Sequence, residues 1–204
     1  MKKINLIIAI IIFMAGTSAA QDQDVLTKAF DTSYTLEGIS YYANAIDVLK
    51  KYYDENSYEL NARLGWLHYQ AGRYPESIAY YNKAILLKPF AIEPRFGLVK
   101  PASSLGNLDQ VLEQYEKILE IDPMNTYANY QAGMIYYNRQ QYDMALKYFE
   151  LVANLYPFDY DSTLMFAWTS YRLGKMREAR ILFQKSLLIR PGDESATEGL
   201  GLIK

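Results

Sequence analysis

Pro89, Pro123, Pro157 and Pro191 follow one another at steps of 34 residues. Proline closes a helix because it has no backbone N–H and its ring disfavours helical geometry in the residue before it. Four prolines at one interval mark a chain that restarts its structure every 34 residues. Such a chain folds as stacked copies of one unit, each packed on its neighbours. Other columns keep the step. Tyr81, Tyr115, Phe149 and Phe183 form an aromatic column, and Ala84, Ile118, Val152 and Ser186 a small or aliphatic one. Ser77, Val111, Ala145 and Ala179 form another, and Gly65, Val99, Gly133 and Ala167 a fourth. Gly72, Gly106 and Gly174 recur at a turn position that Gln140 fills in the remaining unit.

Within a unit the apolar spacing is helical, as in Tyr142, Ala145, Leu146, Phe149 and Val152. A 34-residue unit with small, aromatic and proline signposts resembles the tetratricopeptide repeat, most clearly in Tyr142-x-x-Ala145-x-x-x-Phe149 followed by Pro157. The resemblance implies an all-α fold, a right-handed solenoid of helix-turn-helix repeats. With the proline at position 32, the repeats span 58–91, 92–125, 126–159 and 160–193. A degenerate first repeat covers about 24–57, anchored by Tyr42-x-x-Ala45-x-x-x-Leu49, two residues out of phase. It lacks the proline, and a shorter turn at Asp54–Ser57 is expected to close it. The Trp usual at position 4 of the family is missing throughout.

Asn125 and Asp159 suit helix starts, and Ser195-x-x-Glu198 reads as a capping box for a C-terminal capping helix over 194–204. Gly199 and Gly201 are expected to weaken that helix. Pro101 falls inside the first helix of repeat three, where it predicts a kink, either a local irregularity or a bend in a binding surface.

The first twenty residues read as an address. Lys2 and Lys3 precede an apolar run from Ile4 to Ala15, and small residues lead to Gln21. This is the three-part pattern of a secretory signal peptide at 1–20, with cleavage expected after Ala20; the alternative is an uncleaved anchor. The expected location is periplasmic or secreted, with no membrane span after cleavage.

Composition narrows the chemistry. The chain has no Cys and one His, which excludes disulfides, thiolate metal sites and His-rich metal sites. A net charge of −2 lacks the basic footprint that nucleic acid requires. No nucleophile set, phosphate loop or metal cluster is found, so neither enzyme activity nor a cofactor is expected. His68 sits at position 11, a core-facing slot where the family prefers Tyr.

The resemblance also implies a concave groove lined by the first helices at positions 2, 5, 9, 12 and 13. Carried over, these positions give Trp66 and Tyr69 from repeat two and Phe96 and Lys100 from repeat three. Repeat four gives Tyr127, Tyr130, Met134, Tyr137 and Asn138, and repeat five Trp168, Tyr171 and Arg172. The rings would form a continuous aromatic floor for a partner; alternatively, some pack between neighbouring helices. The carboxylate clamp known in the family is absent, because its cationic positions hold Glu59, Glu93, Ala62 and Phe96. Lys100 and Arg172 are left as isolated cations beside the groove. The expected partner is a peptide segment or helix of another protein, or alternatively a glycan, since aromatic faces also stack on sugars. The tyrosines, 20 in all, divide between core signposts and this groove, with several left unassigned.

Overall fold

The computed structural model describes residues 23–203. The proposed signal segment, 1–20, lies outside them. Every regular element among the described residues is a helix. The first, α1, covers residues 23–38. It is followed by α2 (Tyr42–Lys50), α3 (Tyr58–Gln70), α4 (Tyr74–Leu87), α5 (Glu93–Ser104) and α6 (Leu108–Ile121). Then come α7 (Thr126–Asn138), α8 (Tyr142–Leu155), α9 (Tyr160–Arg172), α10 (Met176–Ile189) and α11 (Glu194–Leu202). None is long and apolar enough to cross a membrane.

Each spaced proline acts through the residue before it. Lys88, Asp122, Tyr156 and Arg190 close α4, α6, α8 and α10 with nearly one geometry, φ −126 to −131° and ψ 79 to 88°. That is the non-helical region to which a following proline confines a residue. Two residues past Pro123, Pro157 and Pro191 the next helix is capped, and Ser57 caps α3 with no proline before it. Ser57, Asn125, Asp159 and Asp193 accept from the backbone N–H three residues on. The last of these corrects the expected capping box. Asp193 caps α11, and Ser195 instead accepts from the Trp168 indole at 2.9 Å. The 34-residue register outranks the local motif here, because Asp193 follows Pro191 as Asp159 follows Pro157.

The described residues divide into two compact units, with the division between Pro101 and Ala102. In the first, α3 packs on α2 and α4, and Ile46, Leu49, Leu60, Leu64 and Leu67 form the core. In the second, successive helices from α6 to α11 pack in turn, and Phe149, Phe166 and Phe183 form the core of α8, α9 and α10. α5 continues three residues past Pro101, and the division between the units falls at that proline.

The aromatic column fixes how closely helices approach. A Cβ at Gly97 would lie 2.3 Å from the Tyr81 ring, and one at Gly199 2.3 Å from the Phe183 ring. Gly199 therefore lets α11 sit on the core of the second unit, which corrects its expected role as a weak point. Gly201 has nothing near its missing Cβ.

The first repeat differs in its turn. Ser40 (φ 63°) takes the left-handed position that Gly72, Gly106 and Gly174 fill elsewhere, and Gln140 (φ 59°) fills it in repeat four.

Candidate functional site

Arg63 is the anomaly of α3. It sits among Leu60, Leu64 and Leu67 on the buried face and is only 7 % exposed. A buried charge is tolerated when it is paired and hydrogen-bonded. Its Nη1 pairs with Glu37 at 2.5 Å, and its Nε donates to Ser33 Oγ at 3.2 Å. The Tyr34 ring lies 3.8 Å from the guanidinium carbon. All three partners come from α1, so Arg63 is the polar rivet between α1 and α3. Glu37 also accepts from the Trp66 indole, which fixes that ring. The Arg63 Nη2 is buried and has no hydrogen-bond partner.

Beside this rivet lies a cavity of about 490 Å³, walled by α1, α3, α4 and α5. Trp66, Phe96 and Lys100 line it, together with Tyr34, Tyr58 and the rim carboxylates Glu59 and Glu93. Lys100 is not isolated as the sequence suggests: its ammonium lies 4.7 Å from the Trp66 ring and 6.0 Å from that of Tyr69. Tyr69 stands beside Trp66 at 5.8 Å and Tyr74 at 6.0 Å. At the rim, Tyr58 donates to Glu93 at 3.3 Å, and burial with the Glu93 charge pushes its phenol up to about 12. Lys88 covers the Tyr58 ring and pairs with Glu59 at 3.2 Å. The Glu59 carboxyl is held low by its own backbone N–H and by Lys88.

The second unit places its residues differently. Tyr127 and Tyr130 line a pocket of about 300 Å³ with Asp159 and Asp161. Tyr127 is 56 % exposed, while Tyr130 leans edge-on against Phe149 at 5.8 Å. Burial, then Asp161 and Asp159, raise the Tyr130 phenol. Met134, Tyr137, Trp168 and Tyr171 are half-buried against the core. Trp168 stands edge-on to Phe183 at 4.9 Å and Tyr171 at 5.8 Å, and Tyr137 packs on Tyr142 at 5.3 Å. Asn138 ends α7 exposed. Arg172 is exposed too but hydrogen-bonds Tyr137, which raises the pKa of its guanidinium, so it is not isolated either.

Most of the anticipated rings thus divide their surface between core and solvent. Sequence reading missed Arg63, Glu37 and Tyr34. The available signal was an arginine inside an otherwise aliphatic helical stripe, which demands an acidic partner. His68 is buried more deeply than expected for an amphipathic residue, at 2 % exposure, and stacks on Tyr80 at 5.1 Å. Among the described residues no cluster of three or more acidic, His or Cys side chains is placed to hold a metal ion.

Comparison with known proteins gives these features a family context. The tetratricopeptide repeat model matches residues 58–91, and a second model of the same repeat matches 127–159. The chain is 26 % identical over 101 residues to the Hsp70-Hsp90 organizing protein 3 of Arabidopsis thaliana, covering half of this chain and 18 % of that protein. Among solved structures, a tetratricopeptide repeat protein from Parabacteroides merdae superposes with a TM-score of 0.71 at 20 % identity, over 87 % of this chain and 71 % of that one. YrrB, described as a TPR protein with an unusual peptide-binding site, gives 0.70 at 17 % identity, over 92 % and 97 %.

Proposed function

Because this chain belongs to the tetratricopeptide repeat family, we propose that it serves as an exported protein-interaction scaffold, binding a peptide segment or partner helix against the aromatic faces of its first helices. The observation that carries this reading is the cavity beside Trp66. Its aromatic walls are fixed by hydrogen bonds and cation–π contacts within the fold, and its mouth is open and flanked by charge. Preformed apolar pockets with a few oriented polar groups are the usual form of a binding site. Binding to protein partners is consistent with the organizing-protein relative and with the peptide site of YrrB.

Phe96→Ala and Tyr127→Ala test the reading better than substitutions at Trp168, which packs on Phe183. Calorimetry with a captured partner should show each variant weakening binding by about tenfold, the range of a moderate hot spot. Full binding by a folded double variant would reject it. Titrating tryptophan fluorescence with oligosaccharides and with peptides separates a glycan ligand from a protein one. Export is tested separately, by the intact mass of the protein recovered from the producing cell. A chain that begins at Gln21 supports it, and one that keeps Lys2 does not.

A further inference from the structure

We propose that the pocket between α7 and α9 in the second unit receives a lysine or arginine side chain of a partner segment, and that an apolar neighbour in that segment covers the adjoining hollow at Leu155, Tyr156 and Phe158. This rests on the groove reading and adds the charge and place of one anchor. Three observations converge.

The charge of the pocket is one-sided. Asp159 and Asp161 stand beside Tyr127 and Tyr130 in a volume of about 300 Å³, and no lysine or arginine lines it. Among the described residues neither aspartate is in an ion pair. Their charges reach the Tyr130 hydroxyl, whose pKa they raise on top of burial. α9 uses part of this charge itself. Asp159 caps it by accepting from the Ser162 N–H at 2.8 Å, and Asp161 lies in its first turn. A cap needs one side-chain oxygen, which an asparagine supplies as well. It does not need a second carboxylate, nor the exposed ring of Tyr127 beside the pair.

The fold fills comparable places with cations of its own. At position 31 of repeat two, Lys88 lies 4.1 Å from the Tyr58 ring and pairs with Glu59 at 3.2 Å. At position 31 of repeat five, Arg190 lies 3.5 Å from the Tyr160 ring. The Tyr160 hydroxyl, the Ala196 N–H and the Arg190 charge together hold the Asp193 carboxyl low. In repeat four, position 31 is Tyr156. That repeat supplies rings and carboxylates without the cation that answers both. A ring face and a carboxylate act together on an ammonium or guanidinium, so a partner's cation completes the arrangement.

The adjoining hollow points to a segment of protein rather than a free amine. It measures about 520 Å³ and shares Thr126, Val152 and Asp159 with the pocket. Leu155, Tyr156 and Phe158 wall it, all exposed, Phe158 at 83 %. A small amine would leave that apolar wall in water, whereas a basic residue with an apolar neighbour covers both hollows at once.

The test is a phage-displayed library of nine-residue segments selected on the immobilised full chain, with the best segment then synthesised and followed by fluorescence anisotropy. Enrichment of Lys or Arg next to an aromatic or aliphatic residue is expected. Asp159→Asn with Asp161→Asn keeps the shape and the helix cap while removing both charges. It should weaken the selected peptide about tenfold and leave the urea midpoint nearly unmoved. Phe158→Ser should weaken it several-fold, and Glu59→Gln with Glu93→Gln, in the first unit, should leave it unchanged. Should the double aspartate variant lose stability, the exposed Asp161→Asn decides alone. An unchanged affinity in the aspartate variant, or enrichment of segments without a basic residue, overturns the proposal. Displacement of the peptide by equimolar spermidine would give the pocket to a free amine and overturn it too. Selection of uncharged segments whose binding is lost in Phe96→Ala would leave the groove reading standing while overturning this one. No enrichment of any kind counts against both.

Discussion

His68 and Tyr136 both stand at position 11 of their repeats, and both lie flat on the tyrosine at position 23. The centroid distances are 5.1 Å to Tyr80 in the first unit and 5.5 Å to Tyr148 in the second. The packing is the same and the polar bookkeeping is not. The Tyr136 hydroxyl donates to Glu116 at 2.5 Å, which with burial raises its pKa well above the ordinary tyrosine value. His68 has no hydrogen-bond partner at either ring nitrogen, and burial, with Lys50 and Arg73 against Glu76, pushes its imidazole down to about 4. The first unit also buries the Arg63–Glu37 pair, whereas the core of the second is built from Phe149, Phe166 and Phe183. Equivalent places in one repeat frame thus accept different polar solutions, and it is the first unit that buries an arginine and a histidine.

The largest effect should come from the Arg63–Glu37 pair. Glu37→Ala leaves a buried arginine without its counter-ion, an expected loss of about 3–5 kcal/mol. Hydrogen exchange should show that loss in α1 and α3, with α7 to α10 protected as before. Uniform deprotection would break the contrast between the units.

His68 should make the first unit sensitive to acid. The unfolded histidine takes up a proton near pH 6.5. The folded one resists until about pH 4. The stability tied to the neutral ring is thus fully present above pH 6.5, and falls as pH drops through that window. The expected loss near pH 4 is about 3 kcal/mol. His68→Tyr copies the other unit and should flatten this dependence. Urea midpoints of the two proteins at pH 7 and pH 4.5 measure it, and parallel curves would remove His68 as the cause.

Gly97→Ala forces a methyl group into the Tyr81 ring and should cost about 1–3 kcal/mol by thermal unfolding. Gly201→Ala meets open space and should instead gain roughly 0.5–1 kcal/mol of helix stability. A change of similar size concerns the turns. Gln140→Gly relieves a left-handed glutamine, with an expected gain of about 1 kcal/mol and a slightly higher Tm. A loss would mean that the Gln140 side chain makes a compensating contact.

The repeat frame was legible because each signpost acts over a few residues. Pro89, Pro123, Pro157 and Pro191 confine the residue before them, and Asn125 and Asp159 cap the helix after them. Those effects are local and survive whatever packs around them. The groove was harder to read. A helical stripe says which rings share a face but not how far the next helix covers them. Trp168 sits on Phe183 while Tyr127 stays exposed, although both were placed on the same lining.

By itself, the 34-residue spacing of prolines, aromatics and small residues determined an all-helical repeat protein. It did so because backbone restriction and helical periodicity are written in consecutive residues. Only the tertiary structure decided that Arg63 is riveted to Glu37, that Gly199 seats α11 on Phe183, and that Lys100 rests on Trp66. Each of those contacts joins residues from different helices, and the distance between helices is set by packing, which no single helix encodes.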